Sequence, residues 1–375
     1  MLRLIPKEKE YSERFNRIIK KFEESEYFKL LQECENGESK IGLVNPFHEE
    51  PTVLDHTKMV YDYVYDNYKD DKEYNILLIG ALLHDIGKIK TRQYHPDKNK
   101  VTFYDHETVG IWDALEFLKD CPLDCFEKEK IINIVAFHDI YKFTHGQNIE
   151  RFNIETLELL YKFSLADANG RITKIKKDFF NEPLDFSKLK DLKTINSGCP
   201  EIIALIGVPG AGKSTFSKQM FSAKDIVVSR DKVLEDFGKK KFGDLSYSEI
   251  FGRLTKENQE TIDSLFLSGI RQGIKEIKTQ PSRKLVVDKT NTSKKSRQAL
   301  FQKIKIYSKE NKEIIKTGIV FLTPLSEVKK RLEGRNSEGD KIITPVILEN
   351  FVKSFRLPDH TEFDKIYYVF GDEYE

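Results

Sequence analysis

Only four of the 375 residues are cysteine (Cys34, Cys121, Cys125, Cys199), and their spacing builds no disulfide framework in a chain this long. A reducing cytoplasm is the simplest compartment for such a sequence. Cys121 and Cys125 are close enough to chelate a metal in principle, but no second Cys or His pair stands near them. Charge of one sign is also lacking, since 62 Lys and Arg against 61 Asp and Glu leave a formal net charge of +1. That balance excludes a basic field that would gather nucleic acid indiscriminately. A nucleic-acid partner would have to be held by local clusters such as Lys239-Lys240-Lys241 or Lys294-Lys295-Ser296-Arg297, each of which also reads as a solvated loop. There is no apolar run long enough to span a membrane, no signal peptide, no internal repeat and no low-complexity tract.

What is present divides into two patterns. Up to about Arg171, segments such as "LDHTKMVYDYVYDNY", "YNILLIGALLHDIG", "KEKIINIVAFHD" and "IETLELLYKFSLADANG" repeat apolar residues at three and four, which predicts an all-α domain over residues 1–190. A polar connection rich in Lys and Asp follows. From 198 to 375 the period changes to short β-rich runs, "EIIALIG", "DIVVS", "KLVVD", "IIKTGIVFL" and "KIYYVF", separated by helix-length stretches. Their alternation predicts an α/β domain with a parallel five-stranded sheet. At this length two domains are the default.

The second domain opens on a phosphate cradle. Gly207, Gly210, Gly212, Lys213 and Ser214 satisfy G-x-x-x-x-G-K-[ST] between a predicted strand and the helix-compatible run that begins at Thr215. Glycines there let backbone N–H groups surround phosphates, Lys213 reaches the β and γ phosphates of ATP, and Ser214 is placed to ligate Mg²⁺. Asp231, preceded by Arg230, and Asp288 end the next two β-runs. In a doubly wound sheet both carboxylates open over the same crevice, where one could take the proton of an attacking hydroxyl. Each is also a natural helix cap or turn former. Arg331 and Arg335, on a charged helix before a segment of flexible composition, stand where a kinase lid supplies cations; a plain exposed helix is the alternative.

Seven of the eight histidines precede residue 150. His56, the pair His84-Asp85, His106, His138 and Asp167 fall on successive predicted helices or their ends. Imidazole mixed with carboxylate suits divalent transition metals (Mn, Ni, Co, Cu, Zn or Fe), and a set this large suggests two ions bridged by Asp85. Lys88, one helical turn on, would neutralise a phosphate oxygen. On a helix the adjacent His84 and Asp85 diverge by about 100°, so they serve one cluster only at a helix end, which Gly87 suits. His48, His95, His145 and His360 read as structural.

The order H...HD...H...H...D is that of the HD phosphohydrolases, and "VLDHT", "LLHDIGK", "FYDHETVG" and "LADANGR" look most like the HD domain of bacterial CCA-adding nucleotidyltransferases. From about Glu201 to Val369 the P-loop, the Arg-Asp pair, the D-x-T-N run ending at Asn291, and Arg335-Asn336 followed by Pro345 resemble the 5'-hydroxyl polynucleotide kinases of phage and bacterial RNA repair. That resemblance implies that Asp231 is the general base, that Asp288 and Asn291 shape the acceptor site, and that Arg335 belongs to the lid. Two positions depart from the pattern: Leu234 replaces an acceptor-contacting arginine and Gly339 a second lid arginine, with Arg230 or Arg331 as the available substitutes. As a whole the chain resembles end-healing enzymes that fuse the two modules. The resemblance implies RNA or DNA ends as partners, an NTP donor, a functional link to an RNA ligase, and no membrane. Two other readings stay open: a small-nucleotide phosphodiesterase joined to a metabolite kinase, and an HD nucleotide sensor that regulates a kinase.

Overall fold

The computed structural model describes residues 13–139, 151–174, 198–305, 313–337 and 341–371. The chain divides into two compact units, Met1–Asp191 and Leu192–Glu375. His145, most of the polar connection and residues 338–340 of the lid segment lie outside the described residues.

The first unit is built on helices α1 (Glu13–Glu24), α2 (Glu26–Glu33), α3 (Val53–Asn67), α4 (Tyr74–Leu83), the single turn α5 (Lys88–Thr91), α6 (His106–Leu118), α7 (Cys125–Phe137) and α8 (Ile154–Asn169). In α1, Phe15, Ile18, Ile19 and Phe22 recur at three and four and are buried as one stripe. The same periodic run then breaks at Ser25, whose side chain accepts from Phe28 N and starts α2 as a separate helix. Capping boxes at Thr52/Asp55 and Asp124/Glu127 fix the starts of α3 and α7. From Ile76 to Leu83 every residue of α4 is buried, so α4 is the central helix, packed by α3, α7 and α8. Sequence periodicity did not reveal a small antiparallel hairpin, β1 (Gln93–His95) with β2 (Lys100–Thr102). Asn99 turns it in the left-handed region at φ 44°, and His95 Nε2 lies 2.9 Å from Thr102 Oγ1.

In the second unit five strands form one parallel sheet: β3 (Glu201–Ile206), β4 (Ile226–Ser229), β5 (Lys284–Asp288), β6 (Ile315–Leu322) and β7 (Lys365–Phe370), in the order β4-β5-β3-β6-β7. The continuous burial of Ile202–Ile206 is what a strand covered on both faces requires. Helices α9 (Lys213–Met220), α10 (Arg230–Phe242), α11 (Tyr247–Gly252), α12 (Lys256–Thr279), α13 (Lys294–Lys303), α14 (Leu325–Ser337) and α15 (Pro345–Ser354) connect the strands. Ser229 is in register with Asp288, so β4 and β5 end together beside the P-loop that follows β3. The fold class expected from the two sequence patterns, a helical HD-type region followed by an α/β domain with a parallel five-stranded sheet, is the one observed. No helix among the described residues is long and apolar enough to cross a membrane.

One expectation is corrected. The charged string Lys294-Lys295-Ser296-Arg297 is not a solvated cluster, because the helical phase of α13 turns Arg297 inward, fully buried. Its guanidinium makes two bonds to Glu362, at 2.8 and 2.9 Å, and donates to the carbonyl oxygens of Asn291, Thr292 and Arg356. Arg297 therefore clamps the loop after β5, and Lys294 pairs with Asp359.

Candidate functional site

The helix ends of the first unit converge on one buried cluster. Helix α4 stops at Leu83; His84 caps it at helical angles (φ −55°, ψ −39°), and the tighter turns that follow, Ile86 N to Leu83 O and Lys88 N to Asp85 O, carry Asp85 to the same place. Gly87 holds that turn against α6: an added Cβ would lie 2.0 Å from His106 O and 2.6 Å from Gly110 N. Only glycine permits this approach, which sets Asp85 beside His106.

His56, His84, Asp85, His106, His138 and Asp167 are all buried and mutually close. The Nδ1 atom of each histidine faces a backbone carbonyl: Gly170 for His56 (3.0 Å), Ala81 for His84 (2.9 Å), Phe103 for His106 (2.9 Å) and Val135 for His138 (3.1 Å). A carbonyl only accepts, so the proton sits on Nδ1 and each Nε2 lone pair points into the cluster. Those Nε2 atoms form two pairs, His56 with His84 at 3.3 Å and His106 with His138 at 3.2 Å. Asp85 divides its carboxylate between them. Oδ2 is 3.5 Å from His56 Nε2 and 3.2 Å from His84 Nε2, while Oδ1 is 3.3 Å from His106 Nε2 and 3.6 Å from His138 Nε2. Asp167 Oδ1 is 3.0 Å from His56 Nε2 and is gripped by Arg171. Lys88 Nζ is 2.7 Å from Asp85 Oδ2.

Burial alone would raise the Asp85 carboxyl, but the Lys88 ammonium beside it holds it well below the usual carboxylate range. Burial brings His84 down to about 4, so its ring is neutral at pH 7. Two lone pairs facing each other at 3.3 Å repel unless a cation lies between them. The donor set therefore fits two transition-metal ions, one among His56, His84 and Asp85, with Asp167 beside His56, the other among Asp85, His106 and His138.

Three side chains that sequence reasoning missed support the cluster. Glu50, 2% exposed, places Oε1 2.7 Å from His48 Nδ1 and 3.3 Å from His56 Nδ1, and its Oε2 accepts from Ile172 N at 3.1 Å. His48, read as structural, packs edge-on against His56. Arg171 is the third. Glu50 and His48 lie in irregular chain before α3, where no periodicity marks them, and the arginine of "LADANGR" was the one legible signal.

In the second unit a cavity of about 790 Å³ opens over the strand ends. It is lined by Gly210, Gly212, Lys213, Ser214, Thr215, Arg230, Asp231, Asp288, Arg331 and Arg335 among others, so most of the sequence candidates meet there. Gly207 and Asn291 do not line it. Gly207 N donates to Thr290 O at 2.9 Å, and Asn291, buried at φ 47°, donates its amide to Leu205 O, so both brace the cradle from behind. Gly210 and Gly212 take φ values of 82° and 92° that side chains rarely adopt. Lys213 Nζ donates to the Gly207 and Val208 carbonyls, and burial lowers its pKa to about 8. Ser214 Oγ is 3.5 Å from Asp288 Oδ2. Burial pushes the Asp288 carboxyl up, against the pull of Lys213.

Asp231 accepts from Tyr247 Oη at 2.9 Å, and Lys341 Nζ lies 2.8 and 2.7 Å from its two oxygens. Burial would raise this carboxyl; the Lys341 charge and the two sets of hydrogen bonds outweigh burial and hold it below its ordinary value. Neither Tyr247 nor Lys341 carries a sequence signal, since each reaches the site through tertiary packing. Arg331 donates to Gly371 O at 2.9 Å, and Arg230 Nε is 3.0 Å from Asp263. Leu234 is buried with Ile250 and Ile262.

Residues 53–139 match the HD domain family model, and residues 202–358 match the AAA domain family model. The chain thus carries an HD domain followed by an AAA-type P-loop domain. Over 150 residues, 36% of this chain, it is 28% identical to polyprotein P1234 of Ross River virus (strain NB5092), and it spans 5% of that protein's length. Two solved structures are similar to parts of it. One is a candidate kinase from Chloroflexus aurantiacus (14% identity, 47% of this chain and 88% of that one, TM-score 0.34). The other is a chain of a Pnkp1/Rnl/Hen1 complex (26% identity, 37% of this chain and 41% of that one, TM-score 0.28).

Proposed function

We propose that the chain is a bifunctional nucleic-acid end-healing enzyme: the HD domain hydrolyses 2',3'-cyclic phosphate or terminal 2'- or 3'-phosphate, and the P-loop domain transfers the γ-phosphate of ATP to a 5'-hydroxyl polynucleotide end. The observation that carries this reading is the division of one carboxylate, Asp85, between two histidine pairs, in a chain whose other domain sets a carboxylate, Asp231, in the same cavity as a phosphate cradle.

In the HD domain His56, His84, Asp85 and Asp167 would hold one ion, and Asp85, His106 and His138 the second. Bound there, such ions supply Lewis-acid polarisation of a phosphate ester and activation of water near neutral pH. The protein itself contributes three things. The Nδ1–carbonyl bonds fix ring orientation and tautomer. Burial excludes bulk solvent. The Lys88 ammonium stands ready to neutralise a phosphate oxygen.

In the P-loop domain Lys213 would reach the β and γ phosphates and Ser214 would hold Mg²⁺. Asp231, once Lys341 yields an oxygen, takes the proton of the acceptor hydroxyl. The acceptor oxygen then bonds to the γ-phosphorus as the bond to the β–γ bridging oxygen breaks, releasing ADP. Asp288 and Arg230 shape the acceptor side, and Arg331 and Arg335 offset the charge of the transferring group. A 5'-phosphate and a 3' side cleared of phosphate are the ends an RNA ligase joins.

The test is one RNA with a 5'-hydroxyl and a 2',3'-cyclic phosphate, each end separately labelled, incubated with ATP, Mg²⁺ and Mn²⁺ or Ni²⁺. The reading expects both ends to change. An enzyme that phosphorylates free nucleosides but ignores the oligonucleotide would overturn it in favour of a metabolite kinase.

A further inference from the structure

Beside Asp231, next to the cations Arg230 and Lys341, part of the wall of the P-loop cavity is apolar. Phe251 (56% exposed), Ile342 (51%) and Ile347 (39%) all line it. Large apolar side chains this exposed are usually scattered; here three converge on one ligand-sized cavity that also holds the phosphate cradle. Tyr247 joins this wall to the chemistry. Its hydroxyl donates to Asp231, and its ring lies parallel to Phe251, interplanar angle 10° and centroids 6.3 Å apart. Ile342 is tied to the same turn through its N–H, 3.4 Å from Ser248 Oγ. Lys341 Nζ lies 5.0 Å over the Tyr247 ring, and from there an apolar face of Phe251 and Ile342 runs outward from the reacting carboxylate.

The molecule whose hydroxyl Asp231 deprotonates has to lie along that face. A polyol would leave aromatic surface uncovered by anything of matching polarity. The phosphates of a bound strand meet Arg230 and Lys341 in the same cavity, which leaves the apolar face for another part of the acceptor. A nucleobase one sugar away from the hydroxyl has the matching shape and polarity on both sides.

We propose that Tyr247, Phe251 and Ile342 form a stacking shelf for the nucleobase of the acceptor's terminal nucleoside, so that the kinase recognises its end through base stacking beside Asp231. This inference rests on the kinase reading above. Every base offers a π face, so recognition of this kind tolerates sequence.

The experiment compares two 5'-hydroxyl oligonucleotides that differ only in their first residue, an ordinary nucleoside or an abasic sugar. In the wild type the acceptor KM should be roughly ten- to a hundredfold higher for the abasic end, the worth of one base–aromatic stack. Phe251→Ala should raise KM for the ordinary end toward the abasic value and erase the difference, Ile342→Ala should act in the same direction, and Phe251→Tyr should restore discrimination. KM for ATP should stay constant throughout. Equal KM for the two ends in the wild type, or discrimination that survives Phe251→Ala, overturns the shelf while leaving the kinase reading intact. Absence of phosphorylation on both oligonucleotides removes the polynucleotide reading and the shelf with it.

Discussion

The HD cluster and the P-loop cavity hold their charged groups in different ways. In the HD cluster each imidazole is fixed from behind by a backbone carbonyl, and the six donors are buried. In the cavity Lys213 and Arg331 are likewise held by backbone carbonyls, but the carboxylates are held by other side chains: Lys341 and Tyr247 on Asp231, Ser214 near Asp288. A site braced by backbone is organised before its ligand arrives, whereas one braced by its own reactive groups has to exchange partners when substrate enters. The difference follows from the scaffolds. Helix ends packed around α4 leave no room for rearrangement, while strand ends and loops do.

The most severe way to break the comparison is Asp231→Ala. Loss of a general base costs roughly 10²–10⁴-fold, so 5'-phosphorylation should fall by that factor while 3'-end processing is unchanged. A variant with near-normal kinase turnover would remove Asp231 from the role.

On the HD side, Glu50→Gln removes the buried charge behind His56 without emptying its space. Loss of such a supporting carboxylate lowers metal affinity by about 10–100-fold. Mn²⁺ titration followed calorimetrically should show one ion weakened by that factor, and an unchanged isotherm would mean that His56 is oriented by the Gly170 carbonyl alone. The two ion positions should also separate. His106→Ala leaves His56, His84 and Asp167 intact, so excess Mn²⁺ should restore part of its phosphohydrolase activity, and the same excess should do nothing for His84→Ala if the ion held by His56 and His84 is indispensable.

The smallest effect concerns pH. As the proposed base Asp231 would work ionised, and Lys341 holds its carboxyl below the ordinary value, so kinase kcat/KM should be lost only as pH falls through that depressed value. In Lys341→Ala the acid limb should move to higher pH. A limb that stays in place would show that Lys341 does not set the proton affinity of Asp231. In the alkaline direction, kcat/KM for ATP should fall as pH rises through about 8, where the buried Lys213 loses its charge.

Features with a local cause were legible in the sequence. The five strands are runs of β-branched and apolar residues bounded by turn formers, and the six donors of the HD cluster stand at recognisable intervals beside helix ends. The P-loop is local by construction. What was not legible depends on long-range packing. Glu50 reaches His56 from irregular chain, and Lys341 reaches Asp231 across 110 positions. Arg297, in a string that looks like surface charge, is turned inward by one helical phase to meet Glu362. The break at Ser25 and the hairpin at Asn99 were hidden for another reason: a capping side chain and a left-handed turn residue each override the periodicity around them.

Metal content tests the central claim, that one carboxylate joins two ion positions, most directly. Wild-type protein loaded with Mn²⁺ and desalted should carry about two ions per chain, as two-metal phosphate-ester sites do, and His106→Ala should carry fewer. Asp85→Ala, which removes a donor from both positions, should retain markedly less metal than either while its P-loop domain still phosphorylates 5' ends. Asp85→Ala protein that kept the full wild-type metal content would contradict the account.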